Sequence, residues 1–231
     1  PYRRGYNRSW RVFRACSFDA ETVMDYQAFK NIHKGETCLL VGNGENLHLT
    51  PPSSFPLPSF GMNTIHLYEG WKPDYYTAVD NRVMREFGKD IAESYKDIPK
   101  FIPTGLQEWQ GENFVIFNHL AADLKNGWKP ETLPDGITYH SCMHVAIQLA
   151  YWMGFTTLLM VGVHHKPGEG QAHFWGRDDR MPSKLPVNDW FMGYEVLVSG
   201  MKSKGVTVLN ISEDTHVPDS ILPRRNWKDW L

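Results

Sequence analysis

Gly42-Asn43-Gly44 follows directly on the apolar run Thr37-Cys38-Leu39-Leu40-Val41. Glycines placed after a buried strand let backbone N–H groups approach a phosphate or sugar closely, because no Cβ stands in the way. An ordinary strand-to-loop bend is the competing reading, since a lone Gly-x-Gly is a weak motif. Asn63, Asp80 with Asn81, and Gly162 with His164 stand at the ends of other apolar segments, so several strand ends would bring polar groups to one rim. Such convergence, more than any single motif, marks a ligand site.

Ser141-Cys142 opens the most regular helical stretch of the chain, where free amides and the helix dipole favour an anion. An N-cap role explains Ser141 equally well. His164, His165 and His173 fall within ten positions of one long loop. A loop imidazole beside a phosphate acts as general base or as cation, against the alternative of a solvated side chain. Arg82 and Lys166 are phosphate partners by position, or simply surface charge. His140 and His144, four apart at the helix start, with Cys142 or the later histidines, suggest zinc, but no Cys-x-x-Cys or His-Glu-x-x-His spacing supports it and no metal ligand is assigned. Asp178-Asp179, flanked by Arg177 and Arg180, would suit a divalent ion with a diphosphate or stand as a solvated cluster.

The elements that must position these residues can be read from hydrophobic period and turn residues. Short apolar runs at 37–41, 59–63, 75–79, 100–103, 113–117, 157–161 and 206–211 predict strands. Runs that are apolar throughout imply strands buried on both faces and hence a parallel sheet. Helical spacing predicts helices over 21–33, 81–97, 141–153 and about 189–203. Four prolines within 50–59 make that segment an irregular loop, and the polar stretches 118–136 and 163–188 are loops as well. The second is long enough to suggest that it covers a site. Strand, crossover and strand recur without a repeat. The expected fold is therefore α/β, a three-layer Rossmann-like sandwich with a mostly parallel central sheet, formed by one domain of 231 residues.

Composition narrows the function classes. Lys plus Arg number 24 against 26 Asp plus Glu, and the net charge of -2 gives no electrostatic basis for nucleic acid or an anionic membrane surface as partner. No run approaches the roughly 20 apolar residues of a membrane span. The segment bearing Pro1, Arg3, Arg4 and Arg8 lacks the apolar core of a signal peptide. Three widely spaced cysteines, Cys16, Cys38 and Cys142, argue against a disulfide framework and for a reducing, cytoplasmic compartment. Residues 1–20 read as an arm packed on the domain or on a neighbouring subunit, which allows a homo-oligomer.

Three segments carry a family likeness: Lys34-Gly35-Glu36-Thr37-Cys38-Leu39-Leu40-Val41-Gly42-Asn43-Gly44; Pro73-Asp74-Tyr75-Tyr76 leading to Asp80; and Val145-Ala146-Ile147-Gln148-Leu149-Ala150-Tyr151-Trp152-Met153-Gly154-Phe155 leading to Val161-Gly162-Val163. Over roughly residues 30–212 the chain resembles the superfamily that joins bacterial lipo-oligosaccharide sialyltransferases, motility-associated nonulosonic acid transferases and archaeal 6-hydroxymethyl-dihydropterin diphosphokinases. The sialyltransferase branch implies a transferase that moves a sugar from a CMP-type donor to a glycan or small-molecule hydroxyl without a cofactor. The donor would lie against Gly42, Asn43, Gly44, Asn63 and the Ser141-Cys142 helix start, with a loop histidine, His173 for preference, taking the acceptor's proton. The diphosphokinase branch implies ATP, Mg2+ and a pterin on the same rim, with Asp80 as metal ligand. A non-catalytic nucleotide-binding or assembly protein is the third reading. Glu45-Asn46 stands where the family has Pro-Ser, and His164 where it has Asp, which bears on the donor chemistry.

Overall fold

The apolar run after Gly35 forms an interior strand of a parallel sheet, and the chain builds outward from it on both sides. The computed structural model describes residues 24–109, 111–120, 124–166, 172–177 and 187–231. Its strands are β1 (Thr37–Val41), β2 (Ser59–Met62), β3 (Tyr75–Thr77), β4 (Lys100–Pro103), β5 (Phe114–Phe117), β6 (Thr157–Val161), the short pair β7 (Ala172–His173) and β8 (Gly176–Arg177), and β9 (Thr207–Asn210). The α-helices are α1 (Asn81–Ser94), α2 (Cys142–Trp152) and α3 (Val187–Ser203). Seven strands form one sheet in the order β5-β4-β3-β2-β1-β6-β9, and every neighbouring pair is parallel. This is the expected α/β Rossmann-like arrangement.

Alternation along β1 sets the layers. Cys38 and Leu40 pack with Val145 and Leu149 of α2 and Leu197 of α3, while Leu39 and Val41 pack with Met84 and Ile91 of α1. All four β1 side chains are fully buried, and each such aliphatic side chain contributes roughly 1.5–3 kcal/mol through burial. The sheet thus lies between α2 and α3 on one face and α1 with several 3-10 turns on the other.

The helix predicted over 21–33 is not one. Residues 26–29 form a 3-10 turn capped by Asp25, whose carboxylate accepts from the Gln27 amide at 2.9 Å. Asn31 adopts φ 58°, and the Asn31 and His33 amides donate to Trp152 O and Met153 O at the end of α2. Local capping and a tertiary contact outcompete a weak helical period. Within the loop predicted at 163–188, β7 and β8 form an antiparallel hairpin. Residues 1–20, with Cys16, and Asp178, Asp179 and Arg180 lie outside the described residues. After β9 the chain runs back to pair Arg224 with Asn210 and ends in a 3-10 turn, Trp227–Trp230, a segment given no role by sequence.

Among the described residues no helix is long and apolar enough to cross a membrane. One strongly perturbed group is structural. Lys100, buried where β4 begins, donates from Nζ to Tyr95 O and Ile98 O at 2.8 and 3.0 Å. Desolvation lowers its ammonium to about 8.

Candidate ligand-binding cleft

The strand order reverses at β1. From there the chain first builds β2 to β5 on one side and later β6 and β9 on the other, and crevices at such switch points are where open α/β sheets take ligands. A cleft of about 860 Å³ lies there, beyond the carboxyl ends of the strands. Gly42, Asn43, Gly44, Asn63, Asp80, Ser141, Cys142, Gly162, His164, His165 and His173 all line it. Asn81 does not: it is the first residue of α1, with its side-chain oxygen buried.

The glycine turn works differently from the expectation. The Gly42 amide donates to Val161 O at 2.9 Å and the Gly44 amide to Gly162 O at 2.8 Å, so neither points at a ligand. A Cβ on Gly42 would lie 2.6 Å from Gly162 O, and one on Gly162, at φ +67°, would lie 2.5 Å from Gly42 O. The glycines are needed because the ends of β1 and β6 cross at backbone contact. Together they seal the floor of the cleft as a seam.

Asn43 ties that seam to β2. Its Nδ2 donates to Met62 O at 3.0 Å, and its Oδ1 accepts from Thr64 Oγ1 at 3.4 Å. Trp175 in the hairpin donates from Nε1 to Thr64 Oγ1 at 3.0 Å, and the Phe174 amide donates to Asn43 O. His173 stacks on Trp175 with ring centroids 5.0 Å apart. The hairpin is thereby fixed as one wall. Asn63 sits at φ 49°, a conformation Asn tolerates better than most residues, and its carbonyl accepts from Tyr76 Oη at 2.7 Å.

Two helix starts open onto the cleft. At α2, Ser141 is the N-cap and accepts from the His144 amide. The amides of Ser141, Cys142 and Met143 have no acceptor among the described residues. At α1, Asp80 is the N-cap. Its Oδ1 accepts from the Arg82 amide at 2.8 Å and its Oδ2 from Arg82 Nη2 at 2.7 Å. Partial burial alone would raise this carboxyl, but the Arg82 hydrogen bonds outweigh it and hold it below its ordinary value. An anion is therefore favoured at α2, whereas at α1 a carboxylate already takes the capping position. Cys142 is buried with Sγ against Thr77 O, and desolvation pushes its thiol up to about 12, so it is not a nucleophile here.

The histidines divide by partner. His165, at φ 47°, is hydrogen-bonded through Nε2 to Tyr194 Oη at 2.8 Å, and desolvation holds its imidazole down at about 4. His164 is buried with Nδ1 3.3 Å from Glu45 Oε1. His140 and His144 form no metal pair: the His140 amide donates to His144 Nδ1, and His144 Nε2 lies 3.1 Å from Trp190 O. Desolvation lowers His144 to about 3. Sequence reasoning missed Arg85, Trp190 and Tyr194 as lining residues, whereas Trp175 belongs to the 163–176 loop whose aromatics the diphosphokinase branch would stack on a pterin. The spacing of Arg82 and Arg85, three apart at the start of a helix, was a usable signal; for the aromatics there was none, because they come from distant segments.

Among solved structures, the chain is similar in overall fold to the sialyltransferase CstII from Campylobacter jejuni in complex with a substrate analogue, cytidine-5'-monophosphate. The match has 11% identity and a TM-score of 0.46, and covers 81% of this chain and 87% of that one. No protein-family model and no curated protein matches the chain.

Proposed function

We propose that the cleft binds a phosphate-bearing nucleotide donor and that the chain is a nucleotide-sugar-dependent transferase of the sialyltransferase-like kind. The observation that carries this reading is the convergence of residues from four strand ends, the α2 start and the hairpin on one cleft at the switch point. The donor phosphate lies at the amides of Ser141, Cys142 and Met143, where dipole and unsatisfied N–H groups favour it. Trp175 offers a ring face to the base or sugar. In the transfer, the acceptor oxygen bonds to the anomeric carbon while the bond to the donor phosphate breaks, the nucleoside monophosphate leaves with the electron pair, and His173 takes the acceptor's proton. His165 is a poor base because its imidazole is held near 4. His164 is turned toward Glu45.

A magnesium-dependent diphosphokinase would use Asp80 as a metal ligand, which requires displacing Arg82 from both carboxylate oxygens. Calorimetric titration with CMP, a CMP-sugar, and ATP with and without magnesium tests these readings. CMP is expected to bind, with affinity falling about tenfold or more in Ser141→Asp, which keeps the cap but places a charge at the α2 start. Binding of ATP only with magnesium would favour the kinase. Affinity without turnover across acceptors would favour a non-catalytic protein. No binding of any nucleotide overturns the proposal.

A further inference from the structure

Beside the cleft, the loops after three neighbouring strands meet at a cluster the transfer reaction does not use. His164 follows β6, Asp214 and His216 follow β9, and Glu45 follows the turn after β1. One ligand atom from each of His164, Asp214 and His216 lies within 4.8 Å of the others, the single such group among the described residues. The strongest sign is His164 Nε2. It is buried, has no hydrogen-bond partner, and points toward Asp214 Oδ2 at 3.7 Å, beyond hydrogen-bond length. A buried ring nitrogen left in that state has lost its water without gaining a partner.

The opposite nitrogen is already oriented. Nδ1 lies 3.3 Å from Glu45 Oε1, so the ring can donate Nδ1–H to a carboxylate and present an Nε2 lone pair, the arrangement of carboxylate, histidine and metal found in zinc sites. The loops are tied to one another. The His216 amide donates to His164 O at 2.9 Å, and the buried Asn46 donates from Nδ2 to Glu213 O at 2.7 Å. Ligands on a tetrahedral zinc stand roughly 3.3 Å apart. The cluster must therefore tighten, with the exposed side chains of Asp214 and His216 closing on the buried His164.

We infer that His164 Nε2, His216 and Asp214 form a binding site for a divalent transition metal of the zinc type, with Glu45 orienting His164. Two imidazoles and one carboxylate suit zinc and its neighbours better than magnesium or calcium, which prefer all-oxygen shells. Three protein ligands leave one coordination position for water. The site is independent of the nucleotide reading and could hold whether or not that reading does.

The test is titration of the tag-free, chelator-stripped full chain with zinc against a chromophoric competitor. One site per chain with micromolar or tighter affinity is expected. Asp214→Ala and His216→Ala, both at exposed positions, should each weaken it about tenfold or more, and Glu45→Gln about tenfold. His119→Ala, after β5 at the opposite edge of the sheet from β9, should leave it unchanged, and thermal melts of the stripped variants check that they fold. Cobalt loading should give a visible ligand-field band that Asp214→Ala removes. Absence of a micromolar site in the wild type, or wild-type affinity retained in Asp214→Ala and His216→Ala, overturns the inference.

Discussion

The seam between β1 and β6 and the start of α2 border the same cleft and use their backbone amides in opposite ways. At the seam, Gly42 and Gly44 donate to carbonyls of β6 and its exit, leaving those N–H groups closed to any ligand. At α2, Ser141 caps one amide with its side chain, while the amides of Ser141, Cys142 and Met143, residues that line the cleft, have no acceptor among the described residues. Glycines after a parallel strand therefore serve two separable purposes: close packing of backbones, which is structural, and exposure of amides, which is functional. Here the first has displaced the second, and among these amides only those at the α2 start are left without a backbone acceptor.

Breaking the seam should have the largest effect, and on stability. Gly162→Ala puts a Cβ 2.5 Å from Gly42 O on a backbone at φ +67°, and is expected to cost about 3 kcal/mol or more, read as a lower urea midpoint. If instead it folds normally and loses only ligand affinity, the seam is part of the binding surface and the contrast fails.

The α2 side rests on a neutral His144, which accepts the His140 amide and lies against Trp190 O. Its folded value of about 3 lies below the ordinary 6.5, as does that of His165 at about 4. As pH falls below 6.5 the unfolded chain takes up protons that the folded chain refuses, so stability is present above that pH and declines toward pH 4. The decline should be on the order of 3 kcal/mol for a fully buried imidazole. Denaturant titrations across pH 7 to 4 should show it, and His144→Gln should flatten the slope.

The smallest change sharpens the contrast between the two helix starts. Asp80→Asn keeps an N-cap on α1 but removes its charge and releases Arg82, making α1 resemble α2. Nucleotide affinity is expected to rise a few-fold while the melting temperature changes little. Because the Asp80 carboxyl is held below 3.8, its contribution to stability exists above that pH and is lost as the pH falls through the folded value. The variant should lack that acid limb.

Much of the sheet was legible because strands buried on both faces leave uninterrupted apolar runs: β1, β4 and β6 fall where the sequence places them. The cleft was legible because strand ends in a parallel sheet share one edge, so listing polar residues after apolar runs amounts to listing one rim. Hydrogen-bond direction was not legible. Whether a Gly42 amide points outward or into a neighbouring carbonyl depends on β6, which lies far away in sequence. The 3-10 turn at 26–29 was hidden for a similar reason, since the amides that follow it bond to the end of α2. Glu45 and His164 face one another, a pairing that only the register of β1 against β6 reveals.

That register also bears on how the chain is made. Leu39 faces Ser59 on one side, but the other edge of β1 faces β6, with Thr37 opposite Thr157, 120 residues later. At about 5–20 residues per second on the ribosome, the open edge of this interior strand waits on the order of ten seconds for its second neighbour. During that interval Cys38 to Val41 present an open template for another nascent chain. Efficient production of this protein should therefore depend on chaperones that shelter the growing polypeptide until Val161 has emerged.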